Sequence, residues 1–342
     1  MTTSLEAEIL RFLSEPAEEG FAALALAIYN YQRRENPVYA KYCQFLGTPE
    51  QVESWKAIPA VPQIAFKRHE FRSFPGPQTK FEFRTSGTTG EGHGKHFFPS
   101  LRLYEAAVQR GWDYFRLPRS RMLLLMQNPD DAPFSSLSRM GGILADFEPD
   151  RFFITKDGRF ELDRLRSQIV DREEPVILFG TALAFLHLLE KVPAHHLKSP
   201  LGSLAMETGG FKGSGREISK RDLYHSLSLH LGIPVDSIWN EYGMTELSSQ
   251  FYSHGVGRSH RAPPWMRFQI IDPETSEEAS PGEMGLLRIV DLANLWSALA
   301  VLTQDLAIAQ PDGGFLLLGR DPAALPRGCS RAMDELILEA RG

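Results

Sequence analysis

Between residues 101 and 242, apolar runs of strand length alternate with segments of helical spacing, and that alternation constrains the fold more than any other feature of the chain. Leu101 to Arg116 reads as a helix, Arg121 to Gln127 and Val176 to Phe179 as apolar strands, and Thr181 to Val192 as the helix that follows. Leu204 to Glu207 reads as a short strand, Arg216 to Leu231 as an amphipathic helix, and Ser237 to Asn240 as a further strand. Strands apolar on both faces need cover on both sides. Helical crossovers supply it, so the order predicts a mostly parallel sheet with helices on its faces.

The flanks differ in character. Helical patterns over Leu5–Leu13 and Phe21–Tyr31 give way to a stretch punctuated by Pro59, Pro62, Pro75, Pro77 and Pro99. After residue 260 come short strands, Met266–Ile271, Met284–Asp291, Ala298–Thr303 and Phe315–Leu318, separated by turns such as Asp272-Pro273, Pro281-Gly282 and Asp312-Gly313-Gly314. These predict a distorted β-barrel or a small antiparallel sheet. The expected organisation is an α/β core over residues 1–260, a β-rich subdomain over 261–320 and a short tail over 321–342.

Charge and cysteine content narrow the function classes. With 43 acidic and 37 basic residues, a net charge of -6 argues against a nucleic-acid binder working through a dense basic face. Two cysteines, Cys43 and Cys329, are too few for a disulfide framework or a thiolate metal cage and suit a reducing compartment. Glu6 and Glu8 stand where a secretory leader would be positive, and no apolar run reaches the ~18 to 20 residues of a membrane span. A cytoplasmic protein without a membrane span is expected.

The sharpest local pattern is Phe83-Arg84-Thr85-Ser86-Gly87-Thr88-Thr89-Gly90-Glu91-Gly92-His93-Gly94-Lys95. Four glycines let backbone N–H groups converge on an anion, and four hydroxyls add donors for phosphate oxygens. Lys95 could meet the remaining charge. The segment is neither a Walker A loop, since His96 follows the lysine, nor a dinucleotide fingerprint. A flexible surface turn is the competing reading.

A second cluster, Asn240-Glu241-Tyr242-Gly243-Met244-Thr245-Glu246, follows a predicted buried strand, where open α/β sheets bind ligands. Thr245 beside Glu246 can hold a Mg²⁺ that neutralises polyphosphate, and Tyr242 can stack on a purine. The competing reading is a strand-end turn with a solvated glutamate.

Together the two clusters resemble the adenylate-forming enzymes, a superfamily that includes acyl-CoA synthetases, nonribosomal adenylation domains and luciferase. Their phosphate loop reads T-S-G-T-T-G-x-P-K and their later motif Y-G-x-T-E. The family's ribose aspartate matches Asp305 in Leu302-Thr303-Gln304-Asp305, and its hinge glycine-arginine matches Gly319-Arg320. Within the superfamily the chain is most similar to the LuxE-type acyl-protein synthetases. Phe83 to Gly90, Glu207-Thr208-Gly209-Gly210-Phe211-Lys212, Asn240 to Tyr252, Val290-Asp291-Leu292-Ala293-Asn294 and Arg327-Gly328-Cys329-Ser330 carry that likeness. The resemblance implies the large N-terminal domain of an adenylate-forming enzyme, with the mobile C-terminal domain absent or vestigial, because 22 residues follow Arg320.

The resemblance also implies roles. Thr85, Ser86, Gly87, Thr88, Thr89 and Gly90 would cradle the ATP phosphates with Lys95, Glu246 would bind Mg²⁺, and Thr245 would meet the α-phosphate. Gly209, Gly210 and Tyr242 would line the adenine and acyl pocket, while Asp305 would grip the ribose and Arg320 would sit at the hinge. Cys329, flanked by Arg327 and Arg331 that favour a thiolate, would accept the acyl chain from the acyl-AMP. Cys43, among Tyr39, Tyr42 and Phe45, reads as a core cysteine.

The chain departs from the family pattern at three points. The loop holds two residues more than usual before Lys95, Gln304 replaces a glycine, and the mobile domain's lysine is missing. Slow adenylation or dependence on a partner would follow.

The expected substrate is a carboxylic, fatty acid, and the expected partner an acyl-reductase, acyltransferase or carrier protein. Direct transfer to coenzyme A or a phosphopantetheine is one alternative, and a non-catalytic nucleotide-binding scaffold another. His195-His196 reads as a solvated turn, whereas His93, His96, His254 and His260 lie near the two clusters in sequence.

Overall fold

The computed structural model describes residues 2–86, 92–209 and 218–320. They divide into two compact units. One holds the described residues up to Gly111, Met244–Gln250 and those from Ser259 onward; the other holds Trp112–Gly243 and Phe251–Arg258.

The first unit begins with three helices, α1 (Thr2–Ser14), α2 (Gly20–Glu35) and α3 (Pro37–Phe45). Asn36 caps α3 by accepting from the Tyr39 N–H, and Pro37 at the first helical position needs no partner for the N–H it lacks. A short strand, β1 (Val61–Pro62), leads through a turn at residues 63–67 to an antiparallel hairpin, β2 (Phe81–Arg84) and β3 (Lys95–Phe98). Helix α4 (Arg102–Tyr114) then packs Tyr104 against Phe83 and Phe98.

The second unit is the parallel sheet that the strand–helix alternation predicts. Strands β4 (Arg121–Leu125), β5 (Val176–Thr181), β6 (Leu204–Thr208) and β7 (Ile238–Tyr242) lie side by side in parallel, and β8 (Phe251–His254) closes the edge antiparallel to β7. The connecting helices are α5 (Ser136–Leu144), α6 (Leu162–Val170), α7 (Ala182–Lys191) and α8 (Lys220–Leu231). Ser135, Thr181 and Ser219 cap α5, α7 and α8, and Gly232 ends α8 at φ 68°, a left-handed stop that a residue with Cβ adopts poorly. Residues of alternate parity, such as Leu123, Leu178, Ala205 and Ile238, face Leu223, Tyr224 and Leu227 in one buried core.

The chain returns to the first unit for β9 (Met266–Ile271), β10 (Met284–Asp291), β11 (Ala300–Ala309) and β12 (Phe315–Arg320). β9, β10 and β11 are antiparallel, and the far edge of β11 carries β1 in parallel and then β12 antiparallel. No closing pair joins this mixed sheet into a barrel among the described residues. β11 runs well past the predicted Thr303, because Gln304 and Asp305 interrupt the apolar pattern while the ladder continues. Arg288 is buried in this sheet and donates to Gln269 and to the Ile58 carbonyl, which anchors the proline-rich stretch. No helix among the described residues is long and apolar enough to cross a membrane.

Candidate active site

The glycine and hydroxyl-rich segment is the loop of the β2–β3 hairpin. Register pairs Arg84 with Lys95, so both ends of the loop are fixed by the ladder. Thr85 extends the neck: its N–H donates to the Gly94 carbonyl at 2.9 Å, its hydroxyl accepts from the Gly94 N–H at 2.8 Å, and its carbonyl lies 2.6 Å from His93 Nδ1. Lys95 is the first residue of β3 and half-buried, and Ser86 is exposed. Gly87, Thr88, Thr89 and Gly90 lie outside the described residues.

Thr245 and Glu246 lie in the same unit as the hairpin, three and four residues beyond the end of β7. Glu246 is 2% exposed, so it is not a solvated turn residue. One of its carboxylate oxygens, Oε1, lies 3.3 Å from where a Cβ on Gly94 would stand, and Thr85 Cγ2 lies 3.1 Å from the same point. Only glycine leaves that space open. The Glu246 carbonyl accepts from Asn294 Nδ2 at 2.8 Å, and Ser248 Oγ donates to Asn294 Oδ1. Asp291, fully buried, accepts from the Ser248 and Ala293 N–H groups and from Ser249 Oγ, which in turn accepts from Trp265 Nε1. Burial lifts Asp291 to about 6 against the pull of these donors. The 245–250 segment is thus held from beneath by the Asp291–Asn294 turn.

His96 ties the hairpin to this segment. It is completely buried beside Phe98, with Phe66 at its edge, and its Nδ1 lies 2.9 Å from the Thr245 carbonyl. Burial pushes it down to about 4, so the ring is neutral near pH 7, and Nδ1 must carry the proton because a carbonyl only accepts. Its Nε2 is buried without a hydrogen-bond partner among the described residues.

Asp305 lies on β11 directly opposite Arg320 on β12, and the two form a bidentate ion pair. Arg320 Nη2 also donates to Gln63 Oε1 at 3.0 Å. Gln63 begins the 63–67 turn whose Phe66 touches His96, so three residues of chain link the Asp305 pair to the hairpin strand.

The second unit holds Tyr242 and Gly209. Tyr242 ends β7 with its ring buried against Phe251, and Gly209 is exposed at φ 68° just past β6. Glu241, between Asn240 and Tyr242, accepts from Thr208 Oγ1, and burial lifts it to about 7. Gly210 and Cys329 lie outside the described residues. Cys43 is buried, and burial raises its thiol to about 11, which removes the thiolate a nucleophile needs. His260 stacks on Phe315 in the first unit and His254 lies over Trp239 in the second, both as packing groups.

The profile of the LuxE acyl-protein synthetases matches residues 3–337. The chain belongs to that family. Two relatives are each named a long-chain-fatty-acid–luciferin-component ligase. That of Aliivibrio fischeri is 20% identical over 98% of this chain and 95% of its own, and that of Vibrio harveyi is 21% identical over 92% and 87%. Among solved structures, an open conformation of 2-hydroxyisobutyryl-CoA ligase in complex with 2-HIB-AMP and CoA superposes at a TM-score of 0.66. It is 16% identical, over 92% of this chain and 78% of that one. ATP-bound MatB from Rhodopseudomonas palustris matches 70% of this chain at a TM-score of 0.50 and 19% identity, and the chain spans 47% of MatB's length. The LuxE-family chain therefore has an adenylate-forming fold.

Mg²⁺ on a polyphosphate takes one or two protein carboxylates and fills its remaining positions with phosphate oxygens and water. Glu246, beside the open Cα of Gly94 at the neck of the hydroxyl-rich loop, is a carboxylate that could hold such an ion. No cluster of three His, Cys, Asp or Glu side chains among the described residues is arranged to hold an ion unaided. Asp291 and Asn294, which carry part of the family likeness in the sequence, and Gln63, which no motif marks, meet partners distant in the chain.

Proposed function

We infer that this chain activates a carboxylic acid with ATP and passes the acyl group to a protein. The observation that carries the reading is the convergence, within one unit, of the hydroxyl-rich hairpin neck at Thr85 and Gly94 with the buried carboxylate of Glu246. The relatives' names point to a long-chain fatty acid as the substrate.

A carboxylate is a poor acyl donor because its leaving group would be oxide. Attack of a carboxylate oxygen on the α-phosphorus breaks the bond to the β-phosphate, releases pyrophosphate and leaves acyl-AMP, a mixed anhydride of the acid and the α-phosphate. Thr85, Ser86 and the loop through Gly90 donate to the outgoing phosphates, Lys95 balances their charge, and Thr245 orients the α-phosphate. Glu246 would hold Mg²⁺, which would supply charge neutralisation at the phosphate oxygens. Asp305 accepts from the ribose hydroxyls, and Gly209, Gly210 and Tyr242 take the base and acyl chain. In the second step a thiolate attacks the acyl carbon, a thioester forms and AMP leaves with the bonding pair. Cys329 is the acceptor this reading assigns within the chain, before delivery to a partner protein. Such a protein works in the cytoplasm, where its cysteines stay reduced.

The test is incubation with ATP, Mg²⁺ and radiolabelled long-chain fatty acid. Acid-dependent pyrophosphate exchange is expected, together with an acid-stable, hydroxylamine-labile label on the chain that Cys329→Ala abolishes. Free acyl-CoA formed equally well by Cys329→Ala would reassign the acceptor. ATP binding with no exchange for fatty, aryl or amino acids would reduce the chain to a nucleotide-binding subunit.

A further inference from the structure

Glu207 is a buried carboxylate at the border of an apolar core. It is the penultimate residue of β6 and 1% exposed; Ala205, two residues earlier on the same face of the strand, and Tyr224, which bonds to it, both belong to that core. Register pairs Glu207 with Asn240, so both side chains leave the sheet on the face covered by α8. Three donors meet there. Tyr224 Oη donates to Glu207 Oε1 at 2.9 Å, Asn240 Nδ2 donates to the same oxygen at 2.8 Å, and Lys220 Nζ stands 3.5 Å from it. Lys220 Nζ also donates to Asn240 Oδ1 at 2.6 Å, which closes a ring of Glu207, Asn240 and Lys220. Glu207 Oε2 is buried without a hydrogen-bond partner among the described residues.

Packing alone does not call for this arrangement. A buried carboxylate is costly even when paired, and an apolar residue of similar volume would fill the same space at least as well. What the carboxylate adds is direction. Lys220 is the first residue of α8 and Tyr224 lies one turn on, so Glu207 fixes the start of that helix. Asn240 stands two residues before Tyr242, and Glu207 itself stands two before Gly209. The ring therefore clamps the strand ends and the helix start on either side of the positions assigned to the nucleotide.

We propose that Glu207 is a positioning residue that, through Lys220, Asn240 and Tyr224, locks the first turn of α8 and the end of β7 onto the end of β6 and thereby sets the affinity for ATP. This rests on the reading that Gly209 and Tyr242 face the nucleotide. Glu207 touches neither substrate nor reacting atoms; it acts on the orientation of its neighbours.

The experiment compares the full chain with Glu207→Gln, Lys220→Met and Tyr224→Phe. Glu207→Gln keeps the volume and an acceptor oxygen for Tyr224 and Asn240 and removes the charge that holds Lys220. Expected is a rise of about tenfold in KM for ATP, with kcat and KM for the fatty acid within about twofold of the parent, for both Glu207→Gln and Lys220→Met. The double variant should lose less than the sum of the two single losses, since both remove the Glu207–Lys220 contact, while only Lys220→Met also removes the bond to Asn240. Affinity for ATP measured by equilibrium dialysis should fall in parallel. Variants that keep the parent's thermal midpoint and its KM for ATP would overturn the proposal, as would KM values for both substrates rising together with loss of stability. If the parent binds ATP but shows no acid-dependent exchange, the functional reading fails, and the dialysis comparison still decides the role of Glu207.

Discussion

Arg320 faces Asp305 across the β11–β12 ladder and grips its carboxylate with two nitrogens, Nε at 2.8 Å from Oδ1 and Nη2 at 3.2 Å from Oδ2. A carboxylate has about four lone-pair directions, and this bidentate pair uses two of them, which fixes the orientation of the acceptor. Asp305→Ala and Arg320→Ala should each lower stability, and the double variant should lose less than their sum, with a coupling of about 1 kcal/mol after allowance for the partial exposure of both side chains. Urea midpoints of the three variants measure it. Additive losses would show that the pair contributes nothing.

His96→Phe tests the link between hairpin and Thr245. Phenylalanine keeps the ring between Phe98 and Phe66 and deletes the donor to the Thr245 carbonyl. The lost buried hydrogen bond should cost about 1 to 2 kcal/mol, and pyrophosphate exchange should fall about tenfold as Thr245 loses its anchor. The pH dependence has a definite sign. His96 titrates near 4 when folded and near its ordinary 6.5 when unfolded, so the unfolded chain binds the extra proton between those values and stability is lost as pH falls through them. The variant should lose less stability than the parent between pH 7 and 5. Parallel urea midpoints at the two pH values would contradict a buried, neutral imidazole.

The parallel strands of the second unit and the helices α7 and α8 are legible in the chain because the strands are apolar on both faces and the segments between them have helical spacing. The caps are not what marks them: Ser219 and Thr181 fall inside the predicted stretches, and α5 and α6, nine residues each, have no predicted counterpart. The helix Pro37–Phe45 carries a cap, an asparagine followed by proline, but its nine residues show little periodicity. β2 and β3 leave no legible pattern for a different reason: each is four residues long, and the ladder between them spans a polar loop. The site divides in the same way. Thr245 and Glu246 are adjacent in sequence and form a visible motif. The residues that hold them, His96, Asp291 and Asn294, are recognisable only through partners some 40 to 150 positions away. A buried aspartate reads the same as a solvated one until its donors are in place.

Glu241 gives the second unit a pH response opposite to that of His96. Burial holds it near 7, whereas the unfolded carboxyl titrates near 4.5. Between those values the folded chain binds the extra proton, so stability present at pH 4.5 is lost as pH rises toward 7. Glu241→Gln keeps an acceptor for Thr208 Oγ1 and has no proton to lose. Relative to the parent it should gain stability from pH 5 to pH 7.5, on the order of 2 kcal/mol. Hydrogen exchange of β6 and β7 amides at several pH values reads the unit directly. Equal slopes in parent and variant would place the titration elsewhere.

Gly94→Ala probes the space beside Glu246 without replacing a charged group. The new methyl would stand 3.1 Å from Thr85 Cγ2 and 3.3 Å from Glu246 Oε1, both closer than ordinary van der Waals contact. Gly94 is not in the left-handed region, so alanine adds no backbone strain, and the methyl's effect is purely steric. Because Glu246 is held from behind by Asn294, it cannot retreat freely, and its carboxylate must turn. The Mg²⁺ concentration that half-saturates pyrophosphate exchange should rise about tenfold, while the thermal midpoint moves by only about 2 to 4 °C, equivalent to roughly 1 kcal/mol. A comparable rise on Glu246→Gln, with no further effect of alanine at position 94, would assign both changes to the same carboxylate. A loss of activity in Gly94→Ala that added Mg²⁺ leaves uncorrected would instead place the damage in the hairpin neck at Thr85.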